Sequence, residues 1–386
     1  MPERRAYLDY NGSAPLTPVA RAAMLAALDV DANPSSVHAE GRAARRIVEE
    51  ARRSVAALAG AKPEHVVFTS GATEAATTLL TPDWRMGRAP LRMARLFVAA
   101  SDHACLLSGG RFPRELVTAL PVHGDGQLDL DALRAALAAH DRAEGLALVA
   151  VHAANNETGV IQPIAEIGGT VAEAGGVLVV DAVQAAGRIP VDISSDYGDY
   201  LILSSHKIGG PKGTGAIVGK ADLMMPTPLV TGGGQEKGHR SGTENLAGIA
   251  GFGAAAGEAL SGLADMGDVA GRRDAIEREL LSIAPGATIF GGRAPRLPNT
   301  TLFALPGIKA ETAQIAFDLG GVALSAGSAC SSGKVGPSHV LKAMGHADQA
   351  GLRVSIGRST REEDIATFVS ALRELVERHE RRVRAA

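Results

Sequence analysis

The sequence predicts an α/β protein organised on an open, largely parallel sheet, and three observations carry that prediction. Short apolar, β-branched runs alternate with segments whose apolar residues recur at helical spacing. Much of the glycine, 46 of 386 residues, falls in clusters at the junctions between them, as strand-to-helix connections require. Beyond about residue 255 helical segments broken by Pro and Gly dominate, so a second, smaller unit is expected there.

The elements follow in order. Gly41 to Gly60 places Ala44, Ile47, Val48, Ala51, Val55 and Leu58 on one stripe, which predicts an amphipathic helix stopped at Gly60. Val66-Val67-Phe68 is a short strand running into Thr69-Ser70-Gly71-Ala72-Thr73-Glu74 and a further helix. Leu146 to Val151, Val177 to Val180 and Tyr200 to Ser204 have the length and composition of buried strands. Thr360-Arg361-Glu362-Glu363 predicts a capping box that opens the last helix, with Ile365, Phe368, Val369, Leu372 and Val376 turned inward. The division expected is a large domain over 13–255 and a small one made of 1–12 and 256–386.

Composition excludes several function classes. A formal net charge of -3 gives no general attraction to nucleic acid, and no basic patch offsets it. No apolar run has the length of a membrane span, and Met1 to Ala6 lacks the apolar core of a signal peptide, so the cytoplasm is expected. Two cysteines, Cys105 and Cys330, make no disulfide framework. No His/Cys group has zinc spacing, so no metal is expected.

In open α/β sheets the ligand site lies at the carboxyl ends of the strands, and the polar clusters of this chain fall there. Ser70-Gly71-Ala72-Thr73 opens a helix and can offer backbone N–H groups and a hydroxyl to a phosphate, although an ordinary helix cap uses the same residues. Asp181 ends a strand, where a carboxylate can pair with a protonated pyridine nitrogen; a metal ligand or a cap is the alternative. Gln184, three residues on, is placed for the phenolic oxygen of such a ring. Lys207 follows a strand in Ser204-Ser205-His206-Lys207-Ile208-Gly209-Gly210-Pro211-Lys212-Gly213. A lysine in a partly desolvated crevice can form a Schiff base, whereas most lysines are solvated surface charges. The order of phosphate loop, strand-end Asp and strand-end Lys favours the first.

Two rival motifs fail on spacing. Gly327 to Lys334 lacks the Ser/Thr that a P-loop needs, since Val335 stands there. Gly251-Phe252-Gly253 with Gly257 misses the dinucleotide pattern and lies in a helix-like stretch.

The chain resembles the NifS/IscS-type cysteine desulfurases of the aminotransferase class V group. The resemblance runs from Tyr7-Leu8-Asp9 to about Glu363. Its segments are Asn33-Pro34-Ser35-Ser36-Val37-His38, Thr69 to Glu74, Asn155-Asn156-Glu157-Thr158-Gly159 and Val180 to Gln184. Ser205-His206-Lys207, Arg240-Ser241-Gly242-Thr243-Glu244-Asn245 and Gly327-Ser328-Ala329-Cys330-Ser331-Ser332-Gly333-Lys334 follow. It departs from the usual pattern at Asn11-Gly12-Ser13-Ala14-Pro15, at Asp102 where a glutamate is common, and at Cys105.

The resemblance implies the type I fold of pyridoxal 5'-phosphate (PLP)-dependent transferases, with a mainly parallel seven-stranded sheet in the large domain and a smaller α+β domain. It implies a reaction that converts L-cysteine to L-alanine and leaves sulfur on an enzyme cysteine as a persulfide. That sulfur would serve iron–sulfur cluster or other sulfur-containing cofactor synthesis. Lys207 is similar to the covalent cofactor anchor, Asp181 to the pyridinium partner and Gln184 to the ring-oxygen partner. His103 resembles the histidine stacked on the ring and assisting proton transfer. Thr73, Ser204 and His206 match phosphate contacts, Thr243 a phosphate contact supplied by the other subunit of a homodimer, and Ala72 and Asn156 cofactor-side contacts. Arg353 looks like the clamp for the substrate carboxylate, helped by Asn33.

Cys330 lies in the stretch of about 325–336, whose small residues and glycines suit a mobile loop carrying the nucleophilic thiol to the substrate sulfur and then to an acceptor protein. A selenocysteine lyase or another class V PLP enzyme is the nearest alternative, and a non-catalytic scaffold retaining the fold is a more distant one.

Overall fold

The structure, a computed structural model, describes residues 5–326 and 338–385. Seven strands form its central sheet, in the spatial order Val117–Leu120, Ala89–Ala99, Leu146–His152, Val177–Asp181, Tyr200–Ser204, Gly215–Gly219, Val66–Thr69. The first five are mutually parallel, and Gly215–Gly219 runs antiparallel to both of its neighbours. The expected mainly parallel sheet of seven is therefore present. Asp83–Met86 and Met224–Pro226 add an antiparallel ribbon against the first half of Ala89–Ala99, bringing the connected sheet to nine strands.

The central strands are apolar throughout because both of their faces are covered. Along them, residues alternate between two cores. Val149, Val151, Leu178, Val180, Leu201 and Leu203 face a layer built by the helices Ala39–Leu58, Ile164–Glu173 and Leu246–Ser261. Leu148, Ala150, Val177, Val179, Tyr200 and Ile202 face the opposite layer, with Ala75, Ala76 and Leu79 of the helix Ala72–Leu79.

Leu246–Ser261 explains the glycine pattern rejected above as a dinucleotide motif. A Cβ at Gly253 would stand 2.4 Å from the Ala51 Cα, so glycine there lets two helices touch backbone to backbone. The helical stretch Leu246–Ile283 also corrects the expectation that no segment could span a membrane: by length and composition it qualifies. Yet 56% of its apolar window is buried within the protein, and packing on the sheet accounts for the apolar composition.

A second sheet is antiparallel, in the order Thr288–Phe290, Thr300–Ala304, Leu352–Ser355, Ser325–Ala326. With the helices Met266–Ile283, Ala310–Leu319 and Glu362–Ala385 it encloses a separate core, in which Phe368 stacks on Phe317 and meets Phe303 edge-on. Ala6 and Leu8 also enter this core, because Ala6–Tyr7 pairs in parallel with Val322–Ala323. The predicted capping box is shifted. Thr360 Oγ1 accepts from the Gly357 N–H, and the carboxylate that reaches back is Asp364, to the Arg361 N–H at 2.9 Å.

Candidate active site

Parallel strands all end on one edge of the sheet, and that edge gathers the candidate residues. His152, Asp181 and Ser204 terminate adjacent parallel strands, and Thr69 ends a strand of the same direction. Gly215–Gly219 runs the other way, so it starts beside them, with Gly215 opposite both Thr69 and Ser204. The result is a cavity of about 500 Å³ lined by Ala72, Thr73, His103, Asn156, Asp181, Gln184, Ser204, His206 and Lys207, within the size range of cofactor sites.

Asp181 forms part of the cavity wall and is 7% exposed. Its Oδ1 accepts from the Val183 N–H at 3.0 Å, while no hydrogen bond reaches Oδ2 among the described residues. Burial pushes this carboxyl up, against the influence of nearby His103 and the Val183 N–H. A cationic N–H donor is the ligand that such a group lacks.

Lys207 ends a 3₁₀ turn, Ser205–Lys207, that directly continues the strand Tyr200–Ser204. Its Nζ donates to the carbonyl oxygens of Asn11 at 2.6 Å and Gly12 at 2.8 Å. The N-terminal segment is therefore a wall of the cavity, a placement that local sequence pattern did not show. Gln184 Nε2 also donates to Asn11 O at 3.1 Å, and its Oε1 accepts from Arg188. Arg188, likewise missed from sequence, donates to Lys207 O at 3.3 Å; burial, then the Arg353 charge, lowers it to about 9.

The helix Ala72–Leu79 begins at the cavity, its N-terminus carrying the partial positive charge that favours an anion. His206 and Lys212 line the same cavity. His206 is lowered to about 4, first by burial and then by the charges of Lys207, Lys212 and Arg188. A histidine whose folded pKa lies below its unfolded value of 6.5 stays neutral in the fold, and its stability contribution is complete above pH 6.5. That contribution is lost as pH falls toward 4. Urea unfolding of the cofactor-free protein is thus expected to show stability dropping between about pH 6.5 and 4, and His206→Gln to flatten that window. Parallel profiles for the two proteins would refute the assignment.

His103 caps the short helix Ala104–Leu107, its Nδ1 accepting from the Cys105 N–H at 3.2 Å, which assigns the ring proton of the neutral form to Nε2. Burial lowers its pKa; Asp181 opposes this, while Lys207 and His339 reinforce it. Cys105 Sγ lies 3.1 Å from the same Nδ1. Burial, with Asp181 and Asp102 nearby, pushes this thiol up and keeps it protonated, the wrong state for a nucleophile. Asp102 is wholly buried and structural in its contacts: it accepts from Ala99 N–H, His152 N–H and His152 Nδ1, joining two strand tips.

The remaining candidates lie elsewhere. Arg353 is 2% exposed behind the cavity wall, donating to Asn156 O and Asp9 Oδ1. Asn33 is exposed, its Oδ1 accepting from the Ser35 N–H at 2.8 Å. Thr243 is exposed on a loop anchored by Glu236, which makes a bidentate pair with Arg52 at 2.8 Å and accepts from the Phe68 N–H. That buried anchor sustains left-handed backbone at Glu236 and Lys237 (φ 46 and 54), which is unfavourable for side-chain-bearing residues. Neither Asn33 nor Thr243 lines the cavity of its own chain. Cys330 lies outside the described residues.

Comparison with known proteins identifies the family. The aminotransferase class-V family model matches residues 6–368. A cysteine desulfurase of Frankia sp. (strain EuIK1) is 43% identical over 380 residues, covering 94% of this chain and 88% of the relative. One from Cereibacter sphaeroides is 38% identical over 382 residues, covering 97% and 96%. The X-ray structure of a NifS-like protein from Rickettsia africae ESF-5 superposes with a TM-score of 0.85 at 30% identity, covering 97% of this chain and 100% of that one. The fold is therefore the type I fold expected above. The chain belongs to the aminotransferase class-V family and, within it, stands with the cysteine desulfurases.

Proposed function

We propose that the protein is a PLP-dependent cysteine desulfurase, which converts L-cysteine to L-alanine and retains the sulfur as a persulfide on Cys330. The observation that carries the reading is one cavity joining a buried carboxylate, Asp181, a lysine amine, Lys207, and the start of the helix Ala72–Leu79. These groups match the three polar features of PLP: ring nitrogen, aldehyde and phosphate. When bound, the cofactor supplies a cationic ring that takes up the electron pair left by an amino acid's departing α-proton.

The chain's own residues have distinct tasks. Asp181 keeps a cationic N–H partner in place, and Gln184 faces the ring oxygen. Thr73, Ser204 and His206 hold the phosphate, with Thr243 of a second subunit completing the site in a homodimer. Ala72 and Asn156 contact the cofactor. Lys207 anchors it and, once released, removes the α-proton of the substrate. His103 packs over the ring and offers its Nε2 proton. Arg353, with Asn33, receives the substrate carboxylate, a task suited to a planar guanidinium.

Cys330 acts as thiolate on the substrate sulfur. The carbon–sulfur bond breaks and a sulfur–sulfur bond forms, so that L-cysteine and one enzyme thiol become L-alanine and one persulfide. An acceptor protein in the cytoplasm then takes the sulfur for iron–sulfur cluster or other cofactor synthesis. The two-domain division, 13–255 against 1–12 with 256–386, belongs to the same proposal. It leaves the cavity, apart from its wall at Asn11 and Gly12, in one domain and Arg353 and Cys330 in the other.

Cys330→Ala tests the nucleophile. The variant is expected to keep the visible absorbance of the bound cofactor and to lose sulfide release from L-cysteine by about 10³-fold or more, the scale of removing a covalent nucleophile. Undiminished desulfuration by this variant would sink the assignment.

A further inference from the structure

We propose that Asp9 is the positioning residue for Arg353. The inference rests on the reading that Arg353 receives the substrate carboxylate. The backbone of Arg353 is fixed from both sides, opposite Leu302 on one strand and Ser325 on the other. At 2% exposure its guanidinium has little solvent to neutralise it. Nη2 donates to Asp9 Oδ1 at 2.7 Å and Nη1 to the Asn156 carbonyl at 2.9 Å. Nε is buried and has no partner among the described residues. The planar fork is thus held at two corners with the Nε–H unused, next to Asn156, which borders the cavity. A guanidinium in that state meets a carboxylate already oriented and desolvated, which reduces the ordering cost of binding.

Asp9 reaches this position through a tight turn, in which the N–H groups of Gly12 and Ser13 donate to its carbonyl at 3.0 and 3.2 Å. A Cβ at position 12 would stand 2.4 Å from Asp9 Oδ2 and 2.8 Å from its Cγ. Gly12 thus packs directly against the carboxylate that holds Arg353. Asp9, as much as Arg353, sets the preference for substrates that carry an α-carboxylate.

Two variants of the holoenzyme separate charge from placement. Asp9→Asn removes the charge and keeps the size; Asp9→Glu keeps the charge and displaces it by one methylene. The assay is steady-state turnover of L-cysteine, with L-alanine and ethylamine as competitive inhibitors that share an amine and differ in the carboxylate. In each variant the KM for L-cysteine and the inhibition constant of L-alanine are expected to rise about tenfold, the loss of roughly one charge-assisted hydrogen bond. The kcat should change by less than about twofold, as for an interaction made equally in ground and transition states, and the ethylamine constant should not move. Titration calorimetry of L-alanine gives the same affinity without turnover. An unchanged L-alanine to ethylamine ratio in both variants overturns the inference while leaving the desulfurase reading intact. Should Asp9→Asn fail to fold, Asp9→Glu alone decides. An unaltered enzyme that does not turn over L-cysteine refutes the functional reading and this inference with it.

Discussion

Lys207→Ala is expected to lower L-cysteine turnover by about 10³-fold or more, because the substitution removes both a covalent anchor and a general base, the latter alone worth roughly 10²–10⁴. Borohydride reduction of the unaltered holoenzyme, followed by peptide mapping, should place the cofactor on the peptide containing Lys207, and the variant should show no such label. The physical case rests on placement. The turn Ser205–Lys207 continues a buried strand, and the Nζ already donates to two carbonyls of the N-terminal segment. Forming a covalent bond requires the amine to give up those contacts. Lys207→Arg keeps a cation in the crevice but not the nucleophile, so it should be as inactive as alanine. Partial recovery of Lys207→Ala by added methylamine would support a missing amine as the cause. A label on another lysine, or turnover within tenfold of the unaltered enzyme, would refute the assignment.

How much of this site the sequence disclosed depends on the kind of signal each residue leaves. Asp181 and Lys207 were legible because each follows a run whose composition announces a buried strand, Val177 to Val180 and Tyr200 to Ser204. A strand end is a definite place in a parallel sheet, and ligands gather at that edge. The helix after Ser70-Gly71 was legible for the same reason. His103 had no such marker and rested on resemblance; its orientation comes from capping a four-residue helix too short to leave a periodicity.

Residues that act through distant partners left no local trace. Arg188 meets Gln184 and Lys207, and Arg353 meets Asp9 from 344 positions away. No periodicity encodes a pair of that separation. The ribbon Asp83–Met86 with Met224–Pro226 escaped because its strands are short, partly exposed and rich in residues with weak β preference. The glycines of Leu246–Ser261 looked like breakers in a helical pattern, and only the helix across from them, with Ala51 at the crossing, shows why they are tolerated. The shifted capping box is a one-residue error of the kind that helix ends invite.

Asp181→Asn is expected to separate activity from stability in opposite directions. Asparagine has nearly the same shape, and its side-chain oxygen can still accept from the Val183 N–H, so the strand tip should keep its geometry. What disappears is the charge. Without it no anion faces the ring nitrogen, and the cationic form of the cofactor on which α-proton removal depends loses its stabilising partner. An effect of about 10³-fold on kcat follows, the scale of removing one preorganised electrostatic contact in a site closed to water. The KM should change far less, since the carboxylate of the substrate is received elsewhere. Stability should move the other way in the cofactor-free protein. Burial raises this carboxyl above its unfolded pKa of 3.8, so the folded state binds the proton more tightly than the unfolded state does. Stability contributed by the group is therefore present below pH 3.8 and is lost as pH rises through the raised folded value. At neutral pH the ionised carboxylate opposes folding, and the neutral amide removes that opposition. Thermal melts at pH 7 should then give Asp181→Asn a Tm no lower than that of the unaltered apoprotein, while at pH 4 its advantage shrinks. A Tm well below the unaltered value, together with turnover within tenfold, would make Asp181 a structural residue and remove it from the chemistry.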